Sequence, residues 1–201
     1  MQKEDIRLLG QEISFDNNLN YEKLCIEWCR WLLSIPKQKN PLFDTNGNFS
    51  TINQNAGVFF LCQTLEASKS VPNRQVTVPF GCKIFLPIIN WISFQDQVHQ
   101  TDEDLRLLAR EKMDSVGKLE FYVNNKSITD SLWATRVQPP VFEMCLPSDN
   151  IFNTKPGTCR IATDGFWILF EPLVDEIHIT SCGACSLGIT EISVNYKIKC
   201  V

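Results

Sequence analysis

Apolar residues recur along this chain first at helical spacing and then at strand spacing. Tyr21, Leu24, Cys25, Trp28, Leu32 and Ile35 share one side of a helix, with Glu22, Lys23, Glu27 and Arg30 on the other. Asn20 is placed to cap its start. Pro36 ends it, because the residue before a proline is pushed out of the α region. Trp31 and Leu33 widen the apolar face, so the helix over 21–35 is expected to be well buried. Residues 36–57 are rich in Asn, Pro, Gly and Asp and read as an ordered loop anchored by Phe43 and Phe49. Strand-like runs follow at 58–64, 75–78 and 83–89, the last two separated by a Pro79-Phe80-Gly81 turn.

Thr101 and the acidic turn Asp102-Glu103-Asp104 open a second helix over 101–114. From there the pattern is β. Leu119, Phe121 and Val123 alternate with polar neighbours, and Asn124-Asn125 makes a hairpin turn, since Asn tolerates positive φ. Further runs lie at 133–137, 141–145, 166–170 and 176–180. At 190–199, Thr190, Ile192, Val194, Tyr196 and Ile198 alternate with polar residues, the period of a strand with one dry face. The expected architecture is mainly β with α: a β-sandwich or jelly-roll-like domain with one buried N-terminal helix and one mid-chain helix. Residues 1–20 form a polar N-terminal segment, with a loop at Asp16-Asn17-Asn18, and 21–201 form a single domain.

Composition narrows the partners. At 201 residues, 44% hydrophobic and 21% charged, with a net charge of −4 and no run of Lys or Arg, the chain is a globular domain and no nucleic-acid partner is expected. No apolar run approaches the roughly 20 residues that span a bilayer, and the N-terminus has no signal-peptide core. A soluble, cytoplasmic protein without a membrane partner is the expectation. Nine cysteines without a signal peptide read as thiols, with Cys25, Cys62 and Cys145 as small core residues.

A series of motifs resembles one known group. Trp28-x-x-Trp31, Ser34-Ile35-Pro36, Asn40-Pro41, Asp44-Thr45-x-Gly47, Val78-Pro79-x-Gly81-x-Lys83 and Pro87-x-x-Asn90 come in order. Asp114, Ala162-x-Asp164-Gly165-Phe166-Trp167, Pro172-Leu173 and Ile192-Ser193-Val194-Asn195-Tyr196 follow. From about residue 21 onward the series is similar to an uncharacterised family of mostly bacterial, often exported, β-sandwich-like proteins. The resemblance implies a fold and no activity, so no catalytic residue carries over. Two departures stand out: the signal peptide is missing, and a His-x-x-His-Phe-Gly-Gly segment is represented by His178, Ser181, Cys182 and Gly183.

Candidate chemistry is sparse. Cys182-Gly183-Ala184-Cys185 has the spacing of a metal or redox pair, with His178 and Cys200 as further ligands for zinc. Against this stands a Gly-containing hairpin turn with two incidental thiols, which is the favoured reading, and no cofactor is expected. His178 with Cys182 or Cys185 would form the base and nucleophile of a hydrolase or thiol-dependent enzyme; the bland alternative is a histidine on the outer face of a strand. His99 reads as solvated. Asp44-Thr45-Asn46-Gly47 reads as an Asx turn rather than a calcium loop, and Asp164-Gly165 as a turn before a strand. Asn40, Asp44, Gln54 and Asn90 could line one polar pocket, with Trp133, Trp167 or Trp31 as its floor, and Asp164 is a further ligand-binding candidate. The competing role for these groups is to satisfy loop backbone. The favoured function is a non-catalytic ligand-binding or interaction protein, with a small molecule, a glycan or a protein as partner. The alternatives are the His178 enzyme and a zinc-stabilised structural domain.

Overall fold

The computed structural model describes residues 13–15, 20–65, 70–96, 99–172, 174–188 and 191–201. Within them the chain builds two packed sheets and two helices, the β-sandwich-like architecture with few helices that the patterning predicts. The strands are β1 (Ile13–Phe15), β2 (Val58–Phe60), β3 (Asn73–Val78), β4 (Lys83–Phe94), β5 (Val116–Val123), β6 (Lys126–Ser127), β7 (Arg136–Val137), β8 (Phe142–Leu146), β9 (Gly157–Pro172), β10 (Glu176–Cys185) and β11 (Ile192–Cys200). The first sheet runs β1-β9-β4-β2, with β7 and β8 also paired to β9; the second runs β3-β11-β10-β5-β6.

β9 is the spine of the first sheet. One of its edges is taken in turn by β8, β7 and β1, the other by β4 from Ile84 to Phe94. Both faces of this sheet are dry. One carries Ile84, Leu86, Ile168 and Phe170 into the layer shared with Ile177, Ile179, Val194 and Ile198 of the second sheet. The other carries Phe60, Phe85, Trp167 and Leu169 against helix α1 (Tyr21–Ser34). There Phe85 and Trp167 stack at 5.3 Å and Trp28 meets Trp167 edge-on at 5.2 Å. Each such side chain contributes about 1.5–3 kcal/mol by leaving water. The indole N–H groups of Trp28 and Trp31 donate to the Leu61 and Ile52 carbonyls, tying the helix to the segments beside it.

α1 begins at Asn20, whose side chain accepts from the Lys23 amide, and stops before Pro36. Helix α2 (Asp102–Asp114) begins with a full capping box between Thr101 and Asp104 and lies against β4 and β9. Residues 36–57 are an ordered loop with two 3₁₀ turns, Lys37–Lys39 and Pro41–Phe43. Asn124 and Asn125 both take positive φ in the β5–β6 turn, and Cys82 donates to the Pro79 carbonyl across the Pro79–Gly81 turn. The loop read at Asp16-Asn17-Asn18 falls outside the described residues.

The structure corrects several expectations. The strand over 133–137 is instead a 3₁₀ helix, Thr129–Thr135, leading into the two-residue β7. The strand over 58–64 stops at Phe60, while those over 83–89 and 166–170 extend to Phe94 and back to Gly157. Asp164-Gly165 is not a turn but the middle of β9, and Cys182–Cys185 is not a hairpin turn but the end of β10. In both places glycine serves strand packing. A Cβ on Gly165 would sit 2.5 Å from Asn90 Cβ, and one on Gly183 would sit 2.8 Å from Ile89 Cβ. Phe43 is exposed with Lys37 over its ring rather than a core anchor, and Cys145 lies on the exposed side of β8 while Cys25 and Cys62 are buried.

One corner of the sandwich is left open. β2 covers the edge of β4 only as far as Phe85, whereas β9 accompanies β4 to Phe94. In the second sheet β3 covers β11 only from Asn195 onward, leaving Ile192–Val194 paired on one side among the described residues.

Candidate functional site

The cysteine and histidine candidates do not converge. His178 stands on the outer face of β10, 61% exposed, with Nε2 3.5 Å from Glu176. Cys182 lies four residues further along the strand, about 13 Å away at strand spacing. It sits between Glu120 and Ser193, with Lys118 against it. Cys185 falls beyond a register shift and packs inward, in the layer between the sheets. Cys200 is at the opposite end of β11 from Ser193, the residue facing Cys182. No group of three or more His, Cys, Asp or Glu side chains able to hold a metal ion occurs among the described residues. The geometry lends nothing to the thiol-enzyme or zinc readings.

The polar candidates are occupied one by one. Asn40 is fully buried, donating to the Leu32 and Ile35 carbonyls and accepting from the Leu42 amide. Asp44 accepts the amides of Asn46, Gly47 and Phe49, an Asx turn. Gln54 spends its amide on the backbone of Ser50 and Phe60. Asp164, 1% exposed, receives Arg136 in two-point fashion at 3.1 and 2.8 Å, and Arg136 also reaches Asp114. Trp167 is a core residue whose indole N–H has no partner among the described residues. Trp133 is half exposed, edge-on to Phe166. Asn40, Asp44 and Gln54 satisfy backbone, Asp164 holds Arg136, Trp167 fills the core and Trp133 lies half exposed, so they do not line one pocket.

A different cavity occupies the open corner. It measures about 430 Å³, within the range of small-molecule sites. Trp28 and Leu32 of α1, Ile92 and Phe94 of β4, Ile151 and Phe152, Trp91, and Ile192 of β11 supply an apolar lining. Gln63, Thr64 and Asn90 are its polar members, so Asn90 alone of the expected set belongs to it. A wider hollow beside Phe59, Phe80 and Val201 is more open and borders Gln54, whose side chain is already committed to backbone.

The corner stays open because the chain is pulled across it. The Leu61 amide donates to the Phe85 carbonyl of β4. Cys62 then turns to the second sheet. Its carbonyl accepts from both Arg74 Nη1 and Tyr196 Oη at 2.7 Å, and Arg74 Nη1 also donates to Tyr196 Oη. Arg74 is 2% exposed, with Nε donating to the Asp44 carbonyl. Burial pushes the Tyr196 phenol and the Cys62 thiol above their usual ranges, so both are neutral neighbours of the guanidinium.

Next in the chain, Gln63 is 2% exposed and donates Nε2 to Ser181 Oγ at 2.6 Å. Its Oε1 is buried and has no partner among the described residues. Gln63 thus joins the cavity wall while carrying a buried acceptor that the described residues leave unanswered. Gln63, Arg74, Trp91 and Gly188 escape sequence reasoning because they lie far apart in the chain and match no motif. The one available signal is an arginine on a strand position whose alternate neighbours face the core.

No protein-family model, no curated protein and no solved structure matches the chain, so its function rests on this geometry.

Proposed function

We propose that this is a non-catalytic binding domain whose ligand is a small, flat, mainly apolar molecule held in the corner cavity. The observation that carries this reading is Gln63. A buried acceptor without a donor costs about 1–3 kcal/mol. Turned toward the cavity, the Gln63 amide would receive a ligand N–H or O–H at Oε1 and recover that cost, while Trp28, Phe94 and Phe152 offer flat surfaces to its body. A glycan, which presents hydroxyls on every side, fits this lining poorly.

Indole and 1-methylindole test the reading, since the second replaces the N–H donor with a methyl group, and the comparison is repeated in a variant that lacks the acceptor. Calorimetry should show indole binding about fivefold tighter, the equivalent of about 1 kcal/mol for one hydrogen bond. Gln63→Leu should abolish that preference and keep 1-methylindole binding. Ile192→Trp, which fills the cavity, should abolish binding of both. Absence of binding by either compound, or a preference that survives in Gln63→Leu, would sink the proposal.

A further inference from the structure

We infer that the ligand of the corner cavity is an organic anion, with its apolar body inside and a carboxylate or similar group at the mouth, paired with Lys112. The inference rests on the cavity being a ligand site and adds the chemical class. Lys112 stands beside two of the lining residues, Trp91 and Gly188. Its Nζ lies 5.1 Å from the Trp91 ring centroid. It is 3.5 Å from where a Cβ on Gly188 would stand, and that same Cβ would come within 3.2 Å of the indole edge. Ammonium, indole and a side-chain-free backbone position therefore meet at one point of the wall.

The rim is held in place. The amides of Ser186 and Leu187, just before Gly188, donate to the Ser115 carbonyl and hydroxyl at the end of α2. Lys112 sits one turn earlier on that helix, so the loop and the ammonium form one braced edge. Gly188 adopts φ +109, where a side chain is strained, so this part of the mouth stays open for a structural reason. Lys112 has no carboxylate partner among the described residues, unlike Lys118, which reaches Glu191 and Glu120, and Lys197, which reaches Glu176. A cation stacked on an aromatic face beside an apolar cavity suits an amphipathic anion: the ring and cavity take the body and the ammonium takes the charge.

Indole-3-propionate and indole-3-propionamide, equal in shape and different in charge, provide the test by calorimetry at low and high salt. The carboxylate should bind on the order of fivefold tighter at low salt, and the gap should narrow at high salt, as for a part-exposed ion pair. Lys112→Met, which keeps the apolar stem over Trp91, should bring the two affinities together, and Lys112→Arg should retain the gap. Gly188→Ala should weaken both ligands by pressing on Trp91. Equal affinities in the wild-type protein, or a gap that persists in Lys112→Met, would overturn the inference. If indole binds and the gap is missing, the anion assignment falls alone; if indole itself does not bind, the cavity reading falls with it.

Discussion

Arg74 should be the most consequential polar side chain in the molecule, and Arg74→Met measures it. The guanidinium makes three close donations, to the Asp44 carbonyl at 2.8 Å and to the Cys62 carbonyl and Tyr196 Oη at 2.7 Å. Hydrogen bonds from a charged donor are worth about 1.5–3 kcal/mol each, so the three together stabilise by about 5–9 kcal/mol. Against this stands the burial of a cation with no carboxylate in contact among the described residues, a penalty of several kcal/mol that methionine would relieve. The Cys62 carbonyl keeps its bond from Tyr196, so the Asp44 carbonyl is the main acceptor left unanswered. The difference leaves a net loss of about 2–4 kcal/mol, large against a typical stability of about 5–15 kcal/mol. Urea denaturation should show the midpoint falling with an unchanged slope. Tyr196→Phe alone should lose about 1–2 kcal/mol, and the double variant should fall short of the sum by about 1 kcal/mol, because both side chains act on one carbonyl. An Arg74→Met protein within about 0.5 kcal/mol of wild type would refute the argument and show that the cost of burying the charge cancels its bonds.

Two further predictions concern charge and pH. Burial pushes the Cys29 thiol up to about 12 despite a bond from Thr163, and raises Cys25 and Cys62 as well, from an ordinary value of 9.0. Above that value unfolded thiols ionise while these three stay protonated, so the unfolded state binds fewer protons. Stability should therefore fall as pH rises from about 9 toward 12, by up to about 1.4 kcal/mol per pH unit for each thiol; equal urea midpoints at roughly pH 8 and pH 10 would contradict this. Asp164→Asn should lower stability by about 2 kcal/mol, less than a fully enclosed pair because Arg136 is 30% exposed. Asp114→Asn, at a partner 57% exposed, should change it by no more than a few tenths of a kcal/mol. Equal thermal shifts in the two variants would refute that ranking.

The parts of the fold legible in the sequence are those where one face of an element meets water. α1, α2, β5 and β11 show their periods and caps plainly because their polar sides are wet. β4 and β9 do not, because both faces of their sheet are covered and alternation vanishes. The expected strands accordingly captured only fragments of each. Gly165 and Gly183 carry local turn signals, yet their role depends on Asn90 and Ile89, far away in the chain. The polar loop residues failed as a site for the same reason: Asn40, Asp44 and Gln54 look chemically available until the backbone groups they satisfy are in place. Gln63 and Lys112 acquire meaning only through the corner left by two short strands.

The position of β11 also governs when the protein can fold. It lies between β3 and β10, yet it is the last strand in chain order. Asn73 of β3 awaits Asn195, 122 residues later. At ribosomal speeds of about 5–20 residues per second, β3 therefore spends roughly 6–25 s with the apolar side chains of Arg74's neighbours Val76 and Val78 unshielded by their partner strand. During that interval the early chain depends on its alternating polar positions, Asn73, Gln75 and Thr77, to remain unaggregated. β3 joins the second sheet only when β11 arrives to link it to β10, making late assembly a property of its topology.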